Sequence, residues 1–210
     1  TWLFRSNLGI KVSPDWTAIL KYNKAESNFS GGAFFDGDFT EAQIAGAYRP
    51  TENDRLNALI RYTYFEDLPS SQQISNTGQS ALPAQKSNIF SADANYRLTN
   101  WLTLGGKVGL RQGEVSLSRT DEDFVENSAS LFVLRADVHV VKKWDALLEA
   151  RMLEVDAAND SKAGVLAALY RHVGDNAKVG LGYNFTDFSD DLTDLSFDDE
   201  GLFLNIVAKF

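Results

Sequence analysis

The chain has 210 residues, 44% of them hydrophobic and 12% aromatic, with no Cys and a net charge of −9. This is too apolar for a disordered tail, and the missing Cys excludes a disulfide framework or a thiolate metal centre. The acidic balance argues against nucleic acid, whose phosphates it would repel, and no run approaches about 18 uninterrupted apolar residues, which excludes a transmembrane helix.

In chain order, strands are predicted at 2–12, 16–26, 39–49, 55–65, 87–98, 101–117, 129–141, 144–155, 162–172, 177–187 and 201–210. The reason is alternation. In one segment Ala92, Ala94, Tyr96 and Leu98 alternate with Ser91, Asp93, Asn95 and Arg97; in the next, Leu102, Leu104, Val108 and Leu110 alternate with Thr103, Lys107 and Arg111. Then Phe132, Leu134, Ala136, Val138 and Val140 alternate with Val133, Arg135, Asp137 and His139, and Leu202, Leu204, Ile206, Ala208 and Phe210 with Phe203, Asn205, Val207 and Lys209. A helical period would scatter these charges over the apolar face, so a period of two is the fitting one. Most segments run to about ten residues, the length that crosses an outer membrane at a tilt, whereas soluble strands are nearer five or six.

The connections sort into two alternating classes. Short turns are expected at Ser13-Pro14-Asp15, Pro50 to Asp54, Thr99-Asn100, Lys142-Lys143 and Gly174-Asp175-Asn176, and longer linkers at 27–38, 66–86, 118–128, 156–161 and 188–200. That sorting is the pattern of an outer-membrane barrel with short periplasmic turns and longer external loops. Trp16, Trp101 and Trp144 each follow a short turn, where an indole suits the headgroup layer. The expected fold is therefore all-β: a transmembrane antiparallel up-and-down β-barrel of about eleven visible strands, twelve once closed, with 1–210 as one domain. The alternative for the Trp residues is hairpin packing.

The last strand carries Leu204, Ile206, Ala208 and Phe210 at alternate positions, and this resembles the signal read by the barrel-assembly machinery of Gram-negative bacteria. The segments Tyr170-Arg171-His172-Val173-Gly174-Asp175-Asn176 and Gly182-Tyr183-Asn184-Phe185-Thr186-Asp187-Phe188-Ser189-Asp190-Asp191 resemble the C-terminal barrel regions of large proteobacterial surface proteins. The resemblance implies an outer-membrane location, with lipid and lipopolysaccharide as surroundings, Phe210 at the periplasm and Thr1 outside. The chain is then expected to be the C-terminal part of a longer precursor whose secretion signal has been removed. An odd strand number would pair the first and last strands in parallel, so an N-terminal region or partner chain is expected to supply a closing strand.

Parity assigns Arg5, Lys11, Lys21, Glu41, Arg49, Arg61, Asp93, Arg97, Lys107, Arg111, Arg135, Asp137, Glu149, Arg151, Lys178 and Lys209 to the lumen, twelve basic and four acidic. Filled with water, such an interior favours anions; closed by Arg135–Asp137 and Glu149–Arg151 pairing, it would be plugged. The acidic loop residues Asp121, Glu122, Asp123 and Glu126, and Asp187, Asp190, Asp191, Asp194, Asp198, Asp199 and Glu200, lack the ordered spacing of a Ca²⁺ loop and read as solvated. His139 and His172 lie at the short-turn end, away from the external rim and from Ser70, Ser71 and Ser75, so no catalytic constellation is expected. Neither metal nor cofactor is expected. Three readings follow: an anchor or translocator module, a small anion-favouring porin, and a soluble β-sandwich that binds a ligand.

Overall fold

A computed structural model describes residues 2–27, 37–68, 84–116, 123–156, 160–174, 176–186, 188, 192 and 200–208. The strands are β1 (Trp2–Lys11), β2 (Trp16–Ser27), β3 (Gly37–Tyr48), β4 (Leu56–Leu68), β5 (Ala84–Arg97), β6 (Leu102–Ser116), β7 (Val125–Glu126), β8 (Ala129–Val141), β9 (Trp144–Val155), β10 (Asp160–Val173), β11 (Ala177–Asn184) and β12 (Gly201–Ala208). They form one antiparallel up-and-down sheet in chain order, with β7 attached only to β6. There are no helices among the described residues.

The twelfth strand is not the closing one expected from the sequence. It is the two-residue β7, packed on the flank of β6, and β1 and β12 remain unpaired with each other, so the sheet is not closed.

Register turns alternation along each strand into rows across the sheet. On one face Ile10, Ala18, Gly46, Ile60, Ala92, Val108, Phe132, Met152 and Ala163 are successive cross-strand partners. A second row runs Leu56, Tyr96, Leu104, Ala136, Leu148, Ala167, Tyr183 and Leu202, and a third Leu102, Val138, Ala146, Leu169, Leu181 and Leu204. No polar side chain interrupts them. A one-residue slip would send each strand's apolar set to the other face, so the apolar rows and the register fix one another.

Burial is inverted relative to a soluble protein. Leu134, Leu181 and Ile206 on the apolar face are 66%, 59% and 65% exposed, while Thr63, Ser87, Ser91, Arg111 and Glu149 on the polar face are buried. The hydrophobic cluster around Leu131 also lies on the polar face.

Candidate functional site: the polar face of the sheet

The register places many of the charged strand residues on the polar face, while Lys24, Glu66, Lys86, Glu114, Glu154 and Arg171 lie toward the strand ends on the other face. Arg5 and Lys11 of β1 pair with Asn23 and Thr17, and Lys21 of β2 with Gln43. Arg61, Asp93, Lys107, Arg135 and Glu149 line a cavity of about 220 Å³, so residues from five strands face one space. Arg111 and Arg151 share this face, as do Arg97, Asp137 and Lys178. Arg49 sits just beyond β3, its backbone N–H donating to the Asp15 carbonyl at 2.8 Å. Lys209 and Phe210 lie outside the described residues; Leu204, Ile206 and Ala208 of the same motif lie on the apolar side of β12.

Much of the positive charge has a carboxylate beside it. Lys21 Nζ lies 2.7 Å from Glu41, which also accepts from Asn23 at 2.8 Å. Arg97 reaches Asp54 with two N–H groups at 3.2 Å each. Arg135 lies 3.3 Å from Asp137 and donates to Asn95 at 2.7 Å; Arg151 Nε donates to Glu149 at 2.5 Å. Lys178 lies over the ring of Tyr170 at 4.8 Å. Such pairs stiffen the space they line and cancel part of its field.

One arrangement had no role in the sequence reading. Asp145 on β9 lies between His139 on β8 and His172 on β10, with one carboxylate oxygen 2.7 Å from His139 Nδ1 and the other 2.7 Å from His172 Nε2. His139 and Asp145 are direct register partners, so a neighbour search with strand pairing in hand would have found them. A single carboxylate thus clasps three strands at the short-turn end.

The indoles sit at that same end. Trp16 opens β2 and packs on Tyr48 at 4.9 Å; Trp144 opens β9 under the Arg171 guanidinium; Trp101 precedes β6 and is 54% exposed. Trp2, at the opposite end of β1, donates to Glu26 at 3.1 Å with Lys24 over its ring. Exposed indoles therefore occur at both ends of the sheet.

The chain leaving β11 turns onto the polar face. Asn184 accepts from the Thr186 N–H and donates to the Thr186 carbonyl, each at 3.1 Å, a brace just past the end of β11. Gly164 lacks the Cβ that would collide with Thr186. Beyond it, Phe188 and Leu192 are 2% and 7% exposed against Ile89, Ala129, Leu131 and Val133. The strand expected over 177–187 accordingly stops at Asn184.

Of the acidic loop residues, Asp123, Glu126 and Glu200 are described; Asp121, Glu122, Asp187, Asp190, Asp191, Asp194, Asp198 and Asp199 lie outside the described residues, as do Ser70, Ser71 and Ser75. No group of three or more His, Asp or Glu suited to a metal ion occurs among the described residues. No family model and no curated protein matches the sequence.

Proposed function

We propose that this chain is an outer-membrane β-barrel module of a Gram-negative bacterium, serving as the membrane anchor or translocator of a larger surface protein. The observation that carries the proposal is the set of unbroken apolar rows on the exposed face. A contiguous apolar surface of this extent needs a non-aqueous neighbour, and strands satisfy their backbone groups within the sheet, as hydrocarbon requires. Indoles at both ends support the same placement, since they favour the two interfaces of a bilayer. Lipid and lipopolysaccharide then surround the apolar face, and the barrel-assembly machinery inserts it through Leu204, Ile206, Ala208 and Phe210.

Strand direction supports closure by one further strand. Ten antiparallel pairings separate β1 from β12, so these two edges run the same way. A single added strand running opposite to both would satisfy both edges with antiparallel ladders, and the proposal assigns it to an N-terminal region of the same polypeptide. A small anion-favouring channel is the second reading, supported by Arg61, Lys107 and Arg111 on the polar face. The carboxylate pairs and the buried Phe188 and Leu192 weigh against it.

The test is to express the chain with its natural upstream sequence and fractionate the cells. Heat-modifiable migration and extraction from outer membranes by detergent alone are the expected results. Recovery in the detergent-free soluble fraction as a folded protein would sink the proposal and favour a soluble sheet.

A further inference from the structure

We propose that the short-turn end of the apolar face binds the phosphate of an anionic phospholipid headgroup, through Arg171 with Lys142 and Lys143 beside Trp144. The site rests on the membrane reading above. Val141, Trp144, Arg171, Val179 and Ile206 are successive cross-strand partners, so Arg171 stands in a row that is otherwise apolar. A guanidinium stays charged in any surroundings, and on a surface that meets lipid it needs an anion beside it. The indole of Trp144, 5.6 Å from the guanidinium, offers only its electron-rich face. Among the described residues no carboxylate pairs with Arg171, Lys142 or Lys143. Asp145, next in the chain to Trp144, gives its two oxygens to His139 and His172 on the polar face, and Asp175 lies outside the described residues.

The other end of the same face matches its own charges. There Lys24, Thr40, Glu66, Lys86, Glu114 and Glu126 are successive partners, a row in which carboxylates accompany the cations. Lys86 lies 3.7 Å from Glu66, and Lys24 covers the Trp2 ring while Trp2 donates to Glu26. Such a row has no call for an outside anion, and its carboxylates repel phosphate. At the short-turn end the His172 N–H donates to the Lys143 carbonyl at 2.8 Å, which holds the turn against β10 and sets both exposed lysines near Arg171. An exposed indole favours the headgroup layer, where lipid phosphates also lie. A phosphate there accepts two N–H groups from the planar guanidinium, and the lysines add attraction without directional demand. A zwitterionic headgroup would bring its ammonium against three cations, so a net negative lipid is the better fit.

The test reads lipid preference separately at the two ends. Two versions of the full chain retain one indole each, Trp144 or Trp2, with the remaining Trp residues replaced by Phe. Each is refolded into vesicles that mix plain phosphatidylcholine with acyl-brominated phosphatidylglycerol or acyl-brominated phosphatidylcholine, and quenching gives the relative affinity of the two lipids beside that indole. At Trp144 phosphatidylglycerol is expected to bind about threefold more strongly or better, and at Trp2 no more strongly than phosphatidylcholine. Lys142→Gln, Lys143→Gln and Arg171→Gln together, or Arg171→Gln alone if the triple variant does not refold, should lower the preference at Trp144. Equal affinity at Trp144, an undiminished preference in the refolded variant, or the same preference at Trp2 would overturn the site. Quenching of both indoles without headgroup preference removes this site and leaves the membrane reading standing; no quenching of either by any brominated lipid removes both.

Discussion

Asp145 reaches His172 across the β9–β10 pairing, 2.7 Å from carboxylate oxygen to Nε2, while its other oxygen holds His139 of β8. The three residues sit at the short-turn end, each within three positions of Lys142 or Gly174, where the backbone takes positive φ. The clasp therefore ties together two hairpins whose turns impose unusual backbone geometry.

Asp145→Asn keeps the shape of the clasp but removes its charge. The side chains are partly exposed, so the loss is expected to be about 1 kcal/mol rather than the larger figure of a buried pair. Urea unfolding of the refolded protein checks this. A midpoint equal to the parent's would show that the two imidazoles draw nothing from the carboxylate.

Val108 and Lys107 are neighbours on β6 and face opposite ways. Val108→Arg on the apolar row is expected to destabilise the inserted protein by about 2–4 kcal/mol, the cost of a cation near the bilayer midplane. Lys107→Ala on the polar face should change stability far less. Refolding titrations into lipid vesicles compare them, and equal effects would contradict the assignment of faces.

The edges give a geometric prediction. One intervening strand would hold β1 and β12 about 10 Å apart, twice the ordinary strand spacing. In the protein expressed with its upstream sequence, a thiol pair placed on the polar side of both edges by Asn7→Cys and Asn205→Cys should not oxidise to a disulfide, which needs Cα atoms within about 7 Å. A short bismaleimide should bridge it. Direct disulfide formation would show that β1 and β12 meet without a closing strand.

If the polar face conducts, Arg61→Glu or Arg97→Glu should weaken anion preference, because each reverses a fixed charge on the path. Reversal potentials in a salt gradient measure it. Arg97 is held by Asp54, so Arg61, which lines the cavity, is expected to have the larger effect.

The strands were legible because period-two alternation is local: Phe132 and Leu134 declare their face without knowledge of any neighbour. Long elements such as β6 and β8 fall within a residue or two of the sequence reading. The seating of Phe188 and Leu192 was not legible. Phe188 lies among acidic residues and reads as external loop, and nothing local says that Gly109, some eighty positions earlier, leaves a seat for Leu192. The clasp was hidden for the same reason, since His139 and His172 meet Asp145 only through register. β7 was missed because two residues carry no periodicity.

The central claim is that the apolar rows face hydrocarbon. Spin labels introduced by Phe132→Cys and, separately, Val133→Cys test it in the protein inserted in lipid vesicles. Oxygen, enriched in the bilayer, should relax the label at position 132 strongly while a water-soluble nickel chelate does not; the label at 133 should lack that oxygen response. A label at 132 that meets the nickel chelate freely, or neither reagent, would place Phe132 in water or in a dry protein interior and contradict the account.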